Sequence, residues 1–197
     1  MSDITISPVS QPLDRRSVLA GATTLALAAG LGATPAAAAP AEPPPGDFDF
    51  WMGRWRGTHR QLKQRLAGST EWITFESTCS ARKILAGYGN IDENEIHKPA
   101  GTYAGVSLRT YDPATRLWSI WWLDSRNPGK LEPPVTGSFK NGIGTFLGDD
   151  DFEGKQIKVR FVWTVTDPEH PHWEQAFSTD GGQSWETNWI MDYKREA

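Results

Sequence analysis

From residue 54 onward, apolar and polar side chains alternate at period two in run after run. Ile157, Val159, Phe161, Trp163 and Val165 share one face of a stretch whose other face carries Lys158, Arg160, Val162 and Thr164. Successive side chains of a strand point to opposite faces, so this is the pattern of a half-buried β-strand. Val106, Leu108 and Thr110 alternate with Ser107, Arg109 and Tyr111. Trp173, Gln175 and Phe177 alternate with His172, Glu174 and Ala176. Trp185, Thr187, Trp189, Met191 and Tyr193 alternate with Glu186, Asn188, Ile190 and Asp192. The pattern predicts about ten strands, near 54–64, 70–79, 82–90, 103–111, 117–124, 135–139, 143–148, 156–166, 172–178 and 185–193. No convincing helix-period stretch follows Gly46, although 47–52 suits a single helical turn.

Turn residues separate these runs. Asp112-Pro113-Ala114-Thr115, Lys140-Asn141-Gly142, Glu153-Gly154-Lys155 and Asp180-Gly181-Gly182-Gln183 stand between apolar segments, and Asn-Gly is a strong hairpin signal. Consecutive hairpins favour an up-and-down meander, and a meander of this size removes its exposed edges by closing. The fold class expected is all-β: a single antiparallel up-and-down barrel of about 8–10 strands, wide enough for one small ligand. A two-sheet sandwich is the alternative. In the strand 117–124, Trp118, Ile120, Trp122 and Asp124 share one face, while Ser119, Trp121 and Leu123 share the other. One of Trp121 and Trp122 should line the cavity and the other pack against a partner subunit or under the Pro-rich loop 125–134, which suits a lid at a barrel mouth.

The N-terminal region has a different character. Arg15-Arg16 precedes a weakly apolar Ala/Gly/Leu segment, Val18 to Ala33, and then Ala36-Ala37-Ala38-Ala39. The segment is too short and too poor in large apolar residues for a stable membrane span. The pattern predicts a twin-arginine export signal over 1–39, cleaved near Ala38 or Ala39, and a periplasmic or secreted mature protein. Residues 40–46 read as a Pro-rich linker, leaving 47–197 as one domain.

Composition narrows the function classes. The net charge of -4 is mild and no basic stripe appears, which argues against a nucleic-acid partner. No integral membrane segment is expected in the mature chain. Cys79 is the single cysteine; in a strand-like run it reads as a small buried hydrophobe. All ten Trp lie beyond residue 50, enough to fill a β-core, line an apolar cavity, or both. Gly-rich phosphate loops, Gly-x-Ser-x-Gly elbows and His-Glu-x-x-His motifs are absent.

Phe48-Asp49-Phe50-Trp51-Met52-Gly53-Arg54-Trp55-Arg56-Gly57 resembles the opening of lipocalin-like (calycin) barrels, in which a short helical turn leads into the first strand with a Gly-x-Trp pair. The stretches Gly87-Tyr88-Gly89-Asn90-Ile91-Asp92-Glu93, Leu108-Arg109-x-Tyr111-Asp112, Trp118-Ser119-Ile120-x-Trp122 and Trp173 to Ser178 through Asn188-Trp189 are similar to a family of exported bacterial lipocalin-like domains of unknown function. The resemblance covers nearly all of 47–197. It implies a barrel with Trp55 closing one end and an internal cavity, and it transfers no catalytic residues. Nitrobindin-like haem barrels belong to the same neighbourhood, but the context of their haem-binding His has no match here, so no cofactor is assigned. Ser178-Thr179-Asp180-Gly181-Gly182-Gln183-Ser184-Trp185 resembles the Asp-box hairpin of sialidase-type propellers. It occurs once, and a propeller needs repeated blades, so it reads as a turn device.

The candidate cavity residues are Trp55, His59, Arg109, Trp122, Asp124, Arg126 and Glu174. Counting by two from Trp55 puts His59 and Gln61 on its side of the strand. Arg109 and Glu174 lie in aromatic-rich strands, where a charge faces either solvent or a polar ligand. The acidic runs Asn90 to Glu95 and Asp149-Asp150-Asp151 lack Ca-loop spacing and read as solvated turns. His170-Pro171-His172 lacks a third ligand nearby, so no metal site is assigned. The leading expectation is a protein that binds an apolar or aromatic small molecule inside the barrel. Its rivals are an isomerase-, cyclase- or hydrolase-type enzyme using His59, Glu174 and Arg109, and an interaction module with a filled core. The sequence leaves the oligomeric state open, a homodimer included.

Overall fold

The structure, a computed structural model, describes residues 43–196. The segment expected to be an export signal and the start of the expected linker lie outside the described residues. Ten strands follow a 3₁₀ turn at Asp49–Trp51: β1 (Gly53–Leu62), β2 (Trp72–Ile84), β3 (Gly89–Lys98), β4 (Gly101–Asp112), β5 (Leu117–Asp124), β6 (Val135–Lys140), β7 (Ile143–Phe152), β8 (Lys155–Thr164), β9 (His172–Ser178) and β10 (Glu186–Arg195). Each strand pairs antiparallel with its sequence neighbours, and β1 pairs with β10, so the sheet closes into an up-and-down barrel. The sandwich alternative is excluded by that closure.

Most of the turns follow the sequence. Asn141 and Gly142 both take positive φ, 54° and 77°, as a two-residue hairpin turn of primed type requires. One boundary differs. The strand expected at 82–90 is two pieces: β2 runs on to Ile84, and β3 begins at Gly89. Leu85, Ala86 and Gly87 separate them at φ 51°, 53° and 96°, a left-handed bend that no strand can continue through. The acidic run Asn90 to Glu95 is therefore strand, not loop. Asn90, Asp92 and Asn94 point inward and are buried, while Glu93 and Glu95 are exposed.

The two ends of the barrel differ. At one end the chain before β1 folds across the opening. Phe48, Trp51, Trp55, Trp118, Phe146 and Trp163 are buried there. Trp51 and Trp55 stack at 5.0 Å with planes 12° apart, and Trp163 meets Trp51 edge-on at 4.9 Å. Such pairs add about 0.5–1.5 kcal/mol beyond simple burial. Three of the four plug indoles find acceptors: Trp51 donates to Asp92 at 2.9 Å, Trp55 to the Trp51 carbonyl at 2.7 Å, and Trp118 to Asp47 at 3.0 Å. Arg195 of β10 locks the closure, lying 4.2 Å above the Trp55 ring and donating to the Met52 and Phe50 carbonyls at 2.6 Å each. At the other end, the connections 63–71, 99–100, 125–134, 153–154 and 179–185 surround an opening. The hairpin 178–185 is tied by its own side chains: the Asp180 carboxylate accepts from the Gln183 and Ser184 amides and from the Ser184 hydroxyl. This Asp-box-like segment is a turn device.

Trp55→Ala removes a fully buried ring at the plug. The expected cost is about 3–5 kcal/mol, read as a lowered midpoint in urea unfolding. A loss below about 1 kcal/mol would show that the plug does not hold the barrel closed.

Candidate functional site

A cavity of about 290 Å³ lies inside the barrel and opens at the end opposite the plug. It has three levels: a polar floor on the plug, an aromatic wall, and a charged mouth.

The floor is built around one carboxylate. Asp92 of β3 and Arg109 of β4 are both buried, and an Arg109 guanidinium nitrogen donates to Asp92. Trp51 of the plug donates to the same Asp92 oxygen at 2.9 Å, and Asn94 donates to the other at 2.6 Å. Arg109 also donates to Asn90 at 3.0 Å, and it faces the Phe48 ring at 5.1 Å and the Trp163 ring at 5.8 Å. Burying two ions costs several kcal/mol each, and only mutual attraction and full hydrogen bonding offset this. The charges therefore cancel at the floor, and both Asp92 oxygens are engaged. Arg109 Nε and Trp163 Nε1 are buried donors without hydrogen-bond partners among the described residues, and both residues border the cavity. The floor thus presents no net charge to the cavity.

The wall carries Trp122, Phe161, Trp173, Trp189 and Met191. Phe161 meets Trp173 at 4.9 Å, and Trp173 meets Trp189 at 6.1 Å, both edge-on. Trp122 needs Gly105 of β4: a Cβ there would stand 2.2 Å from the indole ring. A bulge in β10 between Thr187 and Trp189 shifts the register. Asn188, fully buried, accepts from Gln175 at 2.9 Å, while the next residue, Trp189, also reaches the cavity.

Trp189 separates His59 from the cavity. The Trp189 indole can only donate, and it donates to His59 Nδ1 at 3.1 Å. The neutral ring must then carry its proton on Nε2, which donates to Ser77 Oγ at 2.7 Å. Phe75 stacks on the ring at 4.8 Å. Burial first, and the nearby Lys98 ammonium second, hold the His59 pKa down to about 3. His59 is a neutral, doubly bonded strut.

The mouth is ringed by charges from two connections and one strand end. Arg65 follows β1, Lys98 ends β3, Arg126 follows β5, and Glu132 precedes β6. The loop 125–134 is tied at both ends: Ser125 N–H donates to Ala104 O at 2.8 Å, and Glu132 N–H donates to Trp122 O at 3.1 Å. The β5–β6 ladder spans only Trp118–Ile120, so beyond Ile120 the wall is opened by this loop.

The seven residues singled out from sequence separate accordingly. Arg109, Trp122 and Arg126 border the cavity. Trp55 is fully buried under Trp51 in the plug, and His59 stands behind Trp189. Asp124 supports its neighbours: it accepts from Arg126 Nε at 3.0 Å and from Trp122 Nε1 at 3.3 Å. Glu174 requires correction. Its side chain lies half-exposed on the outer face, paired with His172 at 3.1 Å, because Trp173 and Gln175 take the inward positions of β9. The division of roles expected between Trp121 and Trp122 also changes. Both border the cavity, since the ladder that would cover Trp121 ends one residue earlier. Sequence reasoning missed Trp51, Arg65, Asp92, Asn94, Lys98 and Trp189 as site residues. Period-two counting along 90–96 held the signal for Asp92 and Asn94. Cys79 is buried, and burial raises its thiol pKa. Among the described residues, no group of three or more His, Cys, Asp or Glu side chains is placed to hold a metal ion.

Two outcomes test this site. His59 binds its proton less readily when folded than the ordinary imidazole value of 6.5. Between pH 6.5 and 3 the unfolded chain therefore binds more protons, and stability falls as pH drops through that window, at up to about 1.4 kcal/mol per pH unit. It is fully present above pH 6.5. Unfolding curves at pH 7 and pH 4.5 should diverge less in His59→Gln than in the wild type; equal divergence would discount the strut. At the floor, Arg109→Met strands a buried carboxylate and should cost about 3–5 kcal/mol. Asp92→Asn combined with Arg109→Met removes both charges and should recover part of that loss.

No protein-family model matches the chain, and no curated protein matches it in sequence. Solved structures match in shape. The crystal structure of Rv2717c from M. tuberculosis aligns with a TM-score of 0.52 at 9% identity, over 78% of this chain and 99% of that one. The S-type phycobiliprotein lyase CPES from Guillardia theta aligns with a TM-score of 0.50 at 11% identity, over 76% of this chain and 90% of that one. At such identities the likeness is one of fold, and it agrees with a calycin-like barrel.

Proposed function

We propose that this protein is an exported small-molecule binding protein that holds one compact, largely apolar or aromatic ligand inside its barrel. The observation that carries this reading is the one-ended cavity of about 290 Å³ with an aromatic wall. Ligand sites are concave, mostly apolar and fixed by a few polar groups, with volumes from about 300 Å³ upward. The floor, with the cancelled charges of Asp92 and Arg109 and with Asn94 and Gln175 beside them, supplies such groups. The filled-core alternative has no support from this geometry. The enzyme alternative rested on His59, Glu174 and Arg109, and these do not converge: one is a buried strut, one lies on the outer face, and one is tied to Asp92. Export rests on Arg15-Arg16 and the weakly apolar segment after it.

Native mass spectrometry of protein taken from its own cellular compartment should show a co-purified small molecule. Gly105→Ala, which displaces Trp122 from the wall, should lose it while the chain stays folded. An unliganded wild type, whose tryptophan fluorescence also fails to respond to any aromatic probe, would overturn the binding reading. Arg15→Lys with Arg16→Lys should leave precursor in the cytoplasm, and normal export of that variant would overturn the location.

A further inference from the structure

We propose that the mouth of the barrel is a carboxylate site, in which Lys98, Arg126 and Arg65 hold the anionic head of a ligand whose apolar body lies in the cavity. This deepens the binding reading and rests on it.

The argument begins with charges that the fold leaves unmatched. Lys98 ends β3 and is half-buried. Its ammonium stands 5.1 Å from the Phe75 ring, 5.3 Å from Trp189 and 5.8 Å from Tyr103. Its one hydrogen bond goes to a neutral acceptor, Gln61 Oε1, at 2.5 Å. An ammonium has three donors, so two are unspent. Arg65 lies over the Phe152 ring at 4.4 Å and the Phe177 ring at 5.4 Å. Among the described residues, neither Arg65 nor Lys98 forms an ion pair. Arg126 is the exception, clasped by Asp124 and lying 3.8 Å over the Tyr103 ring. The Tyr103 hydroxyl beside it is buried with no hydrogen-bond partner among the described residues. Cations gathered in a part-buried mouth without contacting acids repel one another and favour a bound anion.

Burial first, then Arg126 and Arg65, lower the Lys98 pKa to about 8, with Asp124 opposing. The groups facing it are Gln61 and, behind Trp189, the neutral His59 from β1, Phe75 from β2, Tyr103 from β4, Asp124 and Arg126 at the end of β5, Arg65 from the β1–β2 connection, and Trp189 from β10. None of these is an acid in contact with Lys98. Acids do stand elsewhere on the rim. Glu132, Asp149, Asp150 and Asp151 border the cavity; Asp149 pairs with Lys158 at 2.6 Å, and burial and then Asp150 raise the Glu132 pKa. They give the opening an acidic side as well as a cationic one. The floor cannot serve the head group, because Asp92 already cancels Arg109. The ligand is therefore oriented with its anion outward and its uncharged end against the plug.

The test uses three probes of one shape: 1-naphthylacetate, the neutral 1-naphthylacetamide and the cationic 2-(1-naphthyl)ethylammonium, titrated by tryptophan quenching. At pH 7 the acid should bind about tenfold more tightly than the amide, the scale of one charge-assisted contact. Lys98→Met and Arg65→Met should each bring the ratio of acid to amide affinity close to one, with unchanged far-UV circular dichroism showing that the variants are folded. The preference should decline as pH rises above 8 in the wild type. Equal binding of acid and amide, or tighter binding of the amine, would overturn the carboxylate site and leave the binding reading standing. Binding of none of the three would overturn both.

Discussion

The floor of the cavity and the plug beneath it are held together by the buried carboxylate of Asp92. Its two oxygens gather an indole N–H from the plug, an amide from its own strand and a guanidinium from the next. The 3₁₀ turn that closes the barrel is thereby bonded to β3 and β4 from the inside, while Arg195 secures it from the outside. A carboxylate in that position is tolerable only with its donors in place. The polar floor and the aromatic plug are therefore one construction, and loss of either half exposes the other.

Above that floor, polarity is distributed by chain position rather than by strand. Residues that alternate inward along the middle of the strands supply rings and a few hydrogen-bonding groups. Charged groups without partners lie where the strands end, and there the backbone leaves the sheet and long side chains can reach over the opening. Lys98, Arg65 and Arg126 keep aliphatic stems or flat guanidinium faces against aromatic rings, with their charged ends at the opening. The mouth combines apolar contact with charge in a way that a uniformly greasy cavity does not.

Much of the fold could be read from alternation. Nine of the ten strands, the Asn141-Gly142 turn and the inward side of β1 follow from alternation and turn signals; the burial of Arg109 does not, because Val106 and Leu108 mark the opposite face of β4 as the apolar one. Glu174 falls outside by the same count, since Trp173 and Gln175 take the inward places. β3 was obscured by composition: Asn90, Asp92 and Asn94 look like a loop because an inward-facing polar row is rare. The mouth residues were not legible at all. Arg65 and Lys98 sit beyond the last paired residues or at them, and periodicity carries no information about where such a side chain swings. Trp51 was hidden for a different reason, because a single 3₁₀ turn has no period to detect.

The closing ladder joins β1 to β10, the first strand to the last. Its partners, from Trp55 with Arg195 to Gln61 with Trp189, come from opposite ends of the domain's chain. No partial barrel can be capped, because the edge of β1 stays open until β10 arrives to cover it. The domain thus acquires its inner compartment as a final, all-or-none event once the C-terminal strand has been made. Contacts this distant along the chain are the kind that make folding slow. During that interval the aromatic interior faces solvent, and the same rings that would hold a ligand are the chain's main exposure to aggregation.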